Sequence, residues 1–310
     1  MKLRFCLTIG RFNPNPTMTD LTGKQVLITG ATNGIGKVTA QALAQMGAAV
    51  TIISRSEDKC RATVTEIQAA THNPNLDYIA ADLSSLAEMH RAATEFRARH
   101  NRLDVLVNNA GMLFQNQEMT VDGYDKTLAL NHLSYFVVTL DLLDMLKDTA
   151  AANPEWGARV VSVSSSAHSV GAHWQDPQYT KSYQPFGAYG QSKAFNILFT
   201  VGLAKRLQGT QVTANAVHPG VVATGFGQNQ NGIVRMALRM IRPFARTPEQ
   251  GASTSIYLAS SPEVKAISGK YFVDSKPARV LANADDPQAA ERLWALSEGW
   301  AQQLQPAAGD

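Results

Sequence analysis

From Lys24 onward, short β-branched runs alternate with longer stretches of helical periodicity, and this alternation leaves few architectures open. QVLIT precedes a helix from about Ile35 to Met46, and AVTII precedes one through about Glu57 to Ala70. DYIA is followed by a helix from Ser84 to Arg99, DVLV by a long helix near Asp122 to Lys147, and ARVVSV by a helix from Tyr189 to Leu207 that leads into QVTANAV. Strands spaced by helices in this way build βαβ units, hence a parallel sheet covered on both faces. No Gly/Ser-rich or Pro-rich linker interrupts the series and no internal repeat is present, so one domain is expected.

Composition narrows the partners. Apolar residues make up 45% of the 310-residue chain and charged residues 17%, with a net charge of +3. A globular average is about 25% charged, so disorder, collagen and coiled coil are excluded. Weak, dispersed positive charge points to a small-molecule partner and not to nucleic acid. Two cysteines, Cys6 and Cys60, cannot build a disulfide framework, and no Cys/His cluster has metal-ligand spacing. The most apolar stretch, Leu133 to Leu146, is broken by Asp141 and Asp144, so no transmembrane span is expected. The N-terminal run between Arg4 and Arg11 is short for a signal peptide and lacks a cleavage site, Met18 is a second candidate start, and the expected location is cytoplasmic.

The turn after the first strand reads Thr29-Gly30-Ala31-Thr32-Asn33-Gly34-Ile35-Gly36. A dinucleotide pyrophosphate needs backbone N–H donors at a helix N-terminus and an approach free of Cβ atoms. Gly30 suits the tight turn, Gly34 the close approach and Gly36 the helix–strand packing, with Thr32, Asn33 and Ile35 between them. The second strand ends Ile53-Ser54-Arg55-Ser56. An acidic residue there would bind a ribose 2′-OH, whereas Arg55 offers a fork for a 2′-phosphate, with a serine hydroxyl beside it. NADP(H) is therefore expected over NAD(H).

Four further segments carry a resemblance to the short-chain dehydrogenase/reductase family: Ala81-Asp82-Leu83, Asn108-Asn109-Ala110-Gly111, Tyr189-Gly190-Gln191-Ser192-Lys193, and His218-Pro219-Gly220-Val221-Val222 with Thr224. SVSSSAH and YGQSKAFNILFTVGLAKRL make it most similar to the retinol dehydrogenase-like branch. The resemblance implies an α/β, Rossmann-type doubly wound sheet over residues 23–280, with an N-terminal extension 1–22 and a C-terminal helix and tail 281–310. It also implies that Asp82 and Leu83 hold the adenine, that Asn109, Ala110 and Gly111 border the cofactor, and that Pro219, Gly220, Val221 and Thr224 face the nicotinamide. Transfer of the pro-S hydride follows from the same likeness.

Tyr189 and Lys193 stand four apart and share a helix face. A phenol has an ordinary pKa of about 10, and a neighbouring ammonium would lower it, making Tyr189 an acid/base group and Lys193 its tuner and a ligand of the nicotinamide ribose. By the family motif Ser165 orients the substrate oxygen, with Ser164 as the alternative, and Asn131 supports a proton path to the lysine. The resemblance thus implies carbonyl/alcohol interconversion on a lipophilic aldehyde, ketone or alcohol. Protochlorophyllide reductase-like chemistry and a non-catalytic NADPH-binding regulator are the alternatives. The first is weakened because no cysteine follows Cys60, the second because the Asn131, Ser165, Tyr189, Lys193 set is intact.

Residues 166–188 carry His168, His173, Trp174, Tyr179, Tyr183 and Phe186. They read either as one wall of a hydrophobic pocket or as a packed surface loop. Residues 225–246 fall where the family places its lid. Arg235, Arg239, Arg242 and Arg246 recur at helical spacing there, with Pro243 expected to end or kink the helix so that Arg246 leaves the face. The basic amphipathic helix has as alternatives a solvated face, peripheral membrane contact or an oligomer contact. Thr247-Pro248-Glu249-Gln250 and Asp286-Pro287 have the residues of helix starts.

Overall fold

The computed structural model describes residues 19–222 and 246–302. Thr224, the arginine-rich stretch up to Arg242 and Met18 lie outside them. Eight strands form one sheet: β1 (Gln25–Thr29), β2 (Ala49–Ser54), β3 (Leu76–Ala80), β4 (Val105–Asn108), β5 (Ala158–Val163), β6 (Val212–His218), β7 (Tyr271–Val273) and β8 (Lys276–Pro277). Their order is β3-β2-β1-β4-β5-β6-β7-β8, parallel throughout except for the short antiparallel β7–β8 pair.

Strand alternation builds the two cores. In β1, Leu27 packs into the layer beneath one face, while Val26 and Ile28 point into the layer on the other. Because both faces are covered, all five residues of QVLIT are buried, which is why the strand reads as an unbroken apolar run. One face carries α1 (Gly34–Gln45), α2 (Glu57–Thr71) and α8 (Pro248–Ser260); the other carries α3 (Leu86–Arg99), α5 (Ser134–Asp141), α7 (Pro185–Arg206) and α9 (Pro287–Gln302). Thr247 and Gln250 cap α8 reciprocally, with Pro248 in its first turn. Asp286 accepts from the Gln288 N–H at the start of α9.

Two helices differ from their sequence expectation. The segment expected as one helix from 122 to 147 is α4 (Lys126–Leu128), a π-helical turn (Ala129–Leu133), α5, and then α6 (Leu143–Ala152). Gly123 has φ +78, a turn conformation, so the helix starts only where Asp125 caps the Thr127 and Leu128 N–H groups. The other, α7, begins at Pro185 and not at Tyr189, because proline is pre-shaped for the first helical turn.

The chain runs β1-β2-β3 toward one edge and β4-β5-β6 toward the other, so the C-terminal ends of β1 and β4 border the crevice where the strand order reverses. Ligands of open α/β sheets bind outside such a switch point.

Candidate active site

Every sequence-marked segment within the described residues comes off the C-terminal end of a strand or the helix beside it. Gly30 follows β1, Arg55 follows β2, Asp82 lies two residues after β3, Asn109 follows β4, Ser165 lies just past β5, and Pro219 follows β6. The switch point and the motifs therefore coincide.

The glycine-rich turn is shaped by its neighbour strand. Thr29 Oγ1 accepts from the N–H groups of both Asn109 and Ala110, and Asn109 Nδ2 donates to the carbonyls of Thr29 and Gly30. Asn109 thus acts by clamping the turn, a role its place in the motif does not reveal. Gly30 has φ +68, and a Cβ there would sit 2.7 Å from the Ala110 Cα. At Gly36 a Cβ would meet Asn109 Nδ2 at 2.4 Å and the Gly30 carbonyl at 2.6 Å, which accounts for its packing role. Gly34 has φ +52 and opens α1, with Asn33 as an exposed N-cap and Ile35 half-buried in the first turn. The helix N-terminus and the Cβ-free approach fit a pyrophosphate. Overpacking against backbone costs about 1–3 kcal/mol. Gly36→Val is accordingly expected to lower the unfolding free energy in urea by about 1–3 kcal/mol, and an unchanged unfolding curve would show that the turn yields.

Thr32 Oγ1 and Ser54 Oγ are 3.1 Å apart, tying the turn to the end of β2. Ser56 caps α2 through the Lys59 N–H, leaving Arg55 exposed between two occupied serines. Asp82 Oδ1 accepts from the N–H and hydroxyl of Ser84, and Leu83 is buried.

At the other side of the crevice, Lys193 is buried and its Nζ donates to the Val163 carbonyl at 3.1 Å. The same carbonyl accepts from Tyr135 Oη at 3.3 Å and Asn196 Nδ2 at 3.2 Å, two partners with no signature in the motifs. Gly111 leaves a cradle here: a Cβ on it would lie 3.2 Å from both Lys193 Nζ and Asn131 Oδ1. Asn131 sits inside the π-helical turn, fully buried. Its Oδ1 accepts from the Met112 N–H at 2.8 Å, while its Nδ2 donates to the Met112 carbonyl and to Ser192 Oγ. A π-turn bends a helix locally, and such turns are frequent at functional sites.

The two candidate serines differ in exposure and partners. Ser164 is buried and its hydroxyl donates to the Lys193 carbonyl at 2.7 Å. Ser165 is half-buried, its Oγ accepts from the Ala167 N–H, and its hydroxyl bonds to the Tyr189 side chain. Pro219 is buried, Gly220 has φ +83, and Val221 is exposed. Arg246, whose N–H donates to the Val221 carbonyl, packs its side chain on Gly220 and makes a two-pronged ion pair with Asp274.

The expected charge tuning is reversed. Burial pushes the Tyr189 phenol up to about 12, partly offset by the Ser165 hydrogen bond, and burial lowers Lys193 to about 7. Lys193 is thus only partly charged at neutral pH, and its Nζ stands 5.6 Å from the Tyr189 ring centre and donates to the Val163 carbonyl, so burial outweighs it at the phenol.

The aromatics of 166–188 mostly pack inward. Trp174 stacks on Phe195, Tyr179 on His173, and Tyr183 donates to the Phe114 carbonyl, while Phe186 and His173 remain exposed. No helix among the described residues is long and apolar enough to cross a membrane.

Comparison with known proteins agrees with this arrangement. The family model for short chain dehydrogenase matches residues 24–232. Retinol dehydrogenase 12 of Mus musculus is 42% identical over 282 residues, covering 91% of this chain and 87% of its own. Retinol dehydrogenase 14 of Homo sapiens is 38% identical over 293 residues, covering 89% and 85%. Among solved structures, an uncharacterized protein from Mycobacterium Paratuberculosis superposes with a TM-score of 0.73 at 29% identity, covering 92% of this chain and 96% of that one. The Pseudomonas aeruginosa RhlG/NADP complex gives 0.65 at 31% identity, covering 82% and 95%. A doubly wound sheet with these motifs at its switch point, matched by relatives along most of its length, belongs to the short-chain dehydrogenase family, on its retinol dehydrogenase-like branch, as an alcohol/carbonyl oxidoreductase.

Proposed function

We propose that the chain interconverts a lipophilic aldehyde or ketone and its alcohol with NADP(H), Tyr189 exchanging the proton with the substrate oxygen. The observation that carries this reading is the convergence of Ser165, Tyr189 and Lys193 beside the C-terminal end of β5. A bound nicotinamide supplies the hydride, and the protein supplies orientation and proton transfer. Ser165 Oγ is held by the Ala167 N–H and its hydroxyl bonds to Tyr189, which supports its orienting the substrate oxygen beside the phenol and steadying charge developing on it. Lys193 is assigned to the nicotinamide ribose and Asn131 to a proton path to the lysine, a reading supported by the nearness of both side chains to Gly111. Val221 and Thr224 are assigned to the carboxamide by the family likeness.

Two features support the finer choices. Arg55 at the end of β2 has the planar fork that suits a 2′-phosphate. Met112, Phe186, Val221 and Leu281 are large apolar side chains left exposed on segments that adjoin Gly111, Tyr189, Gly220 and the His168 turn, a setting for an apolar substrate and in particular a retinoid-like one.

The test is cofactor oxidation with nonanal and all-trans-retinal, using NADPH and NADH in parallel. Charge-assisted bonds contribute about 1.5–3 kcal/mol each. Arg55→Asp is therefore expected to reduce the NADPH/NADH preference by at least about tenfold, and an unchanged preference would remove Arg55 from cofactor choice.

A further inference from the structure

The peptide unit that follows Ser165 is gripped from both ends by imidazoles. His168 Nδ1 lies 2.6 Å from the Ser165 carbonyl oxygen, and the Ser166 N–H donates to His218 Nδ1 at 3.1 Å. The two rings come from different elements, His168 from the 3-10 turn Ser166–Val170 that follows β5 and His218 from the last position of β6.

The bonding pattern assigns the protons. His168 Nε2 accepts from the Leu281 N–H at 3.0 Å, so its proton must be on Nδ1, where it donates to Ser165. His218 Nδ1 accepts, so it is bare. Both rings are therefore neutral. Burial lowers both pKa values, that of His218 to about 4. Arg246 and His168 act on His218 in the same direction, while Asp274 opposes them, as Asp285 does at His168. The Tyr271 ring meets His168 edge-on at 4.9 Å and fixes its plane.

A helix start leaves its first N–H groups without helical partners, so the Ser166 N–H has to find an acceptor outside its turn. His218 is that acceptor. The Ser165 carbonyl takes the His168 backbone N–H at 3.1 Å as well as the ring, filling both of its lone pairs. Ser164, one residue back, is tied down by the Val217 and Lys193 carbonyls. With both flanking units immobilised, Oγ held by the Ala167 N–H and the hydroxyl bonded to the Tyr189 side chain, the Ser165 Oγ is fixed beside the group that exchanges the substrate proton.

We propose that His168 and His218 are positioning residues that clamp the Ser165–Ser166 peptide and so aim the Ser165 hydroxyl at the substrate oxygen. The proposal rests on the reading of Ser165 as the group that holds that oxygen. Neither histidine touches substrate; both act through the serine.

The experiment is a double-mutant cycle on the full chain with NADPH and nonanal, reading kcat, KM and NADPH binding by fluorescence. Residues that act as a unit are strongly non-additive. His218→Ala is expected to lower kcat by about tenfold or more while NADPH binding stays within about twofold, and to add less than about twofold once Ser165 is alanine. His218→Asn, whose Oδ1 replaces the Nδ1 acceptor, is expected to restore kcat to within about threefold of wild type. His168→Asn, which keeps a donor for the Ser165 carbonyl, is expected to retain more activity than His168→Ala. If Ser165→Ala is impaired but His218→Ala is not, the clamp is overturned and the serine's role stands. A full His218→Ala loss repeated in the Ser165→Ala background also overturns the clamp, as does an asparagine variant no better than alanine. An unimpaired Ser165→Ala enzyme overturns the serine's role and the clamp with it.

Discussion

Tyr189→Phe is expected to lower nonanal turnover by about a hundredfold to ten-thousandfold while NADPH still binds, the range that a positioned acid/base group contributes. The substitution removes one oxygen from a half-buried ring and leaves α7 intact, so a loss of binding in step with the loss of kcat would point to a structural role and against proton transfer. The pH dependence has a definite sign. With the phenol near 12 it is protonated across neutrality, the form needed to give a proton to a carbonyl oxygen. Reduction is therefore expected to hold level from neutral into mildly alkaline solution. Oxidation of nonanol, which needs the phenolate, is expected to climb with pH through the same range. Lys193 shifts this only as it gains its proton below about 7.

The largest stability effect is expected at Trp294. This side chain is 5% exposed, stacks on Phe199 at 5.9 Å and meets Phe136 edge-on at 5.0 Å. The Arg206 guanidinium lies 3.8 Å above its ring, and its indole N–H donates to Glu298. Nearby, His132 Nε2 and Ser297 Oγ lie 2.8 Å apart and Tyr124 donates to the Trp300 carbonyl, so α9 is joined to the π-turn segment as well as to α7. Truncating a buried tryptophan costs about 3–5 kcal/mol. Trp294→Ala is thus expected to reduce unfolding free energy in urea by that amount. Trp294→Phe, which keeps a ring against Phe199, is expected to recover about half. A cost below about 1 kcal/mol for the alanine variant would mean that α9 is not part of the cooperative unit.

The parallel sheet was readable because strands buried on both faces become apolar runs, and QVLIT, AVTII and ARVVSV show it directly. The start of α8 was readable for a local reason, since Thr247, Pro248 and Gln250 contain their own cap. What escaped was set by contacts distant in sequence. That Asn109, assigned to the cofactor by likeness, also clamps Thr29 and Gly30 through its amide has no mark in the local sequence. The break of one long helix at Ala129–Leu133 carries no periodic mark, because Asn131 satisfies Met112 from a position that a regular helix would read as ordinary. The ionisation of Tyr189 and Lys193 depends on burial, which a four-residue spacing does not encode. The two imidazoles lie 50 positions apart in sequence and meet only at one peptide.

The docking of α9 on the far half of α7 also bears on how the molecule is made. Phe199 and Leu203 belong to the same helix as Tyr189 and Lys193, and the residues that cover them, Ala290, Leu293 and Trp294, are made well after that helix. During synthesis the helix that bears the tyrosine therefore waits with an apolar flank uncovered, a state prone to capture by chaperones or by other nascent chains. A chain shortened before Pro287 would accordingly keep the nucleotide half of its sheet and leave the far half of the tyrosine-bearing helix unsealed.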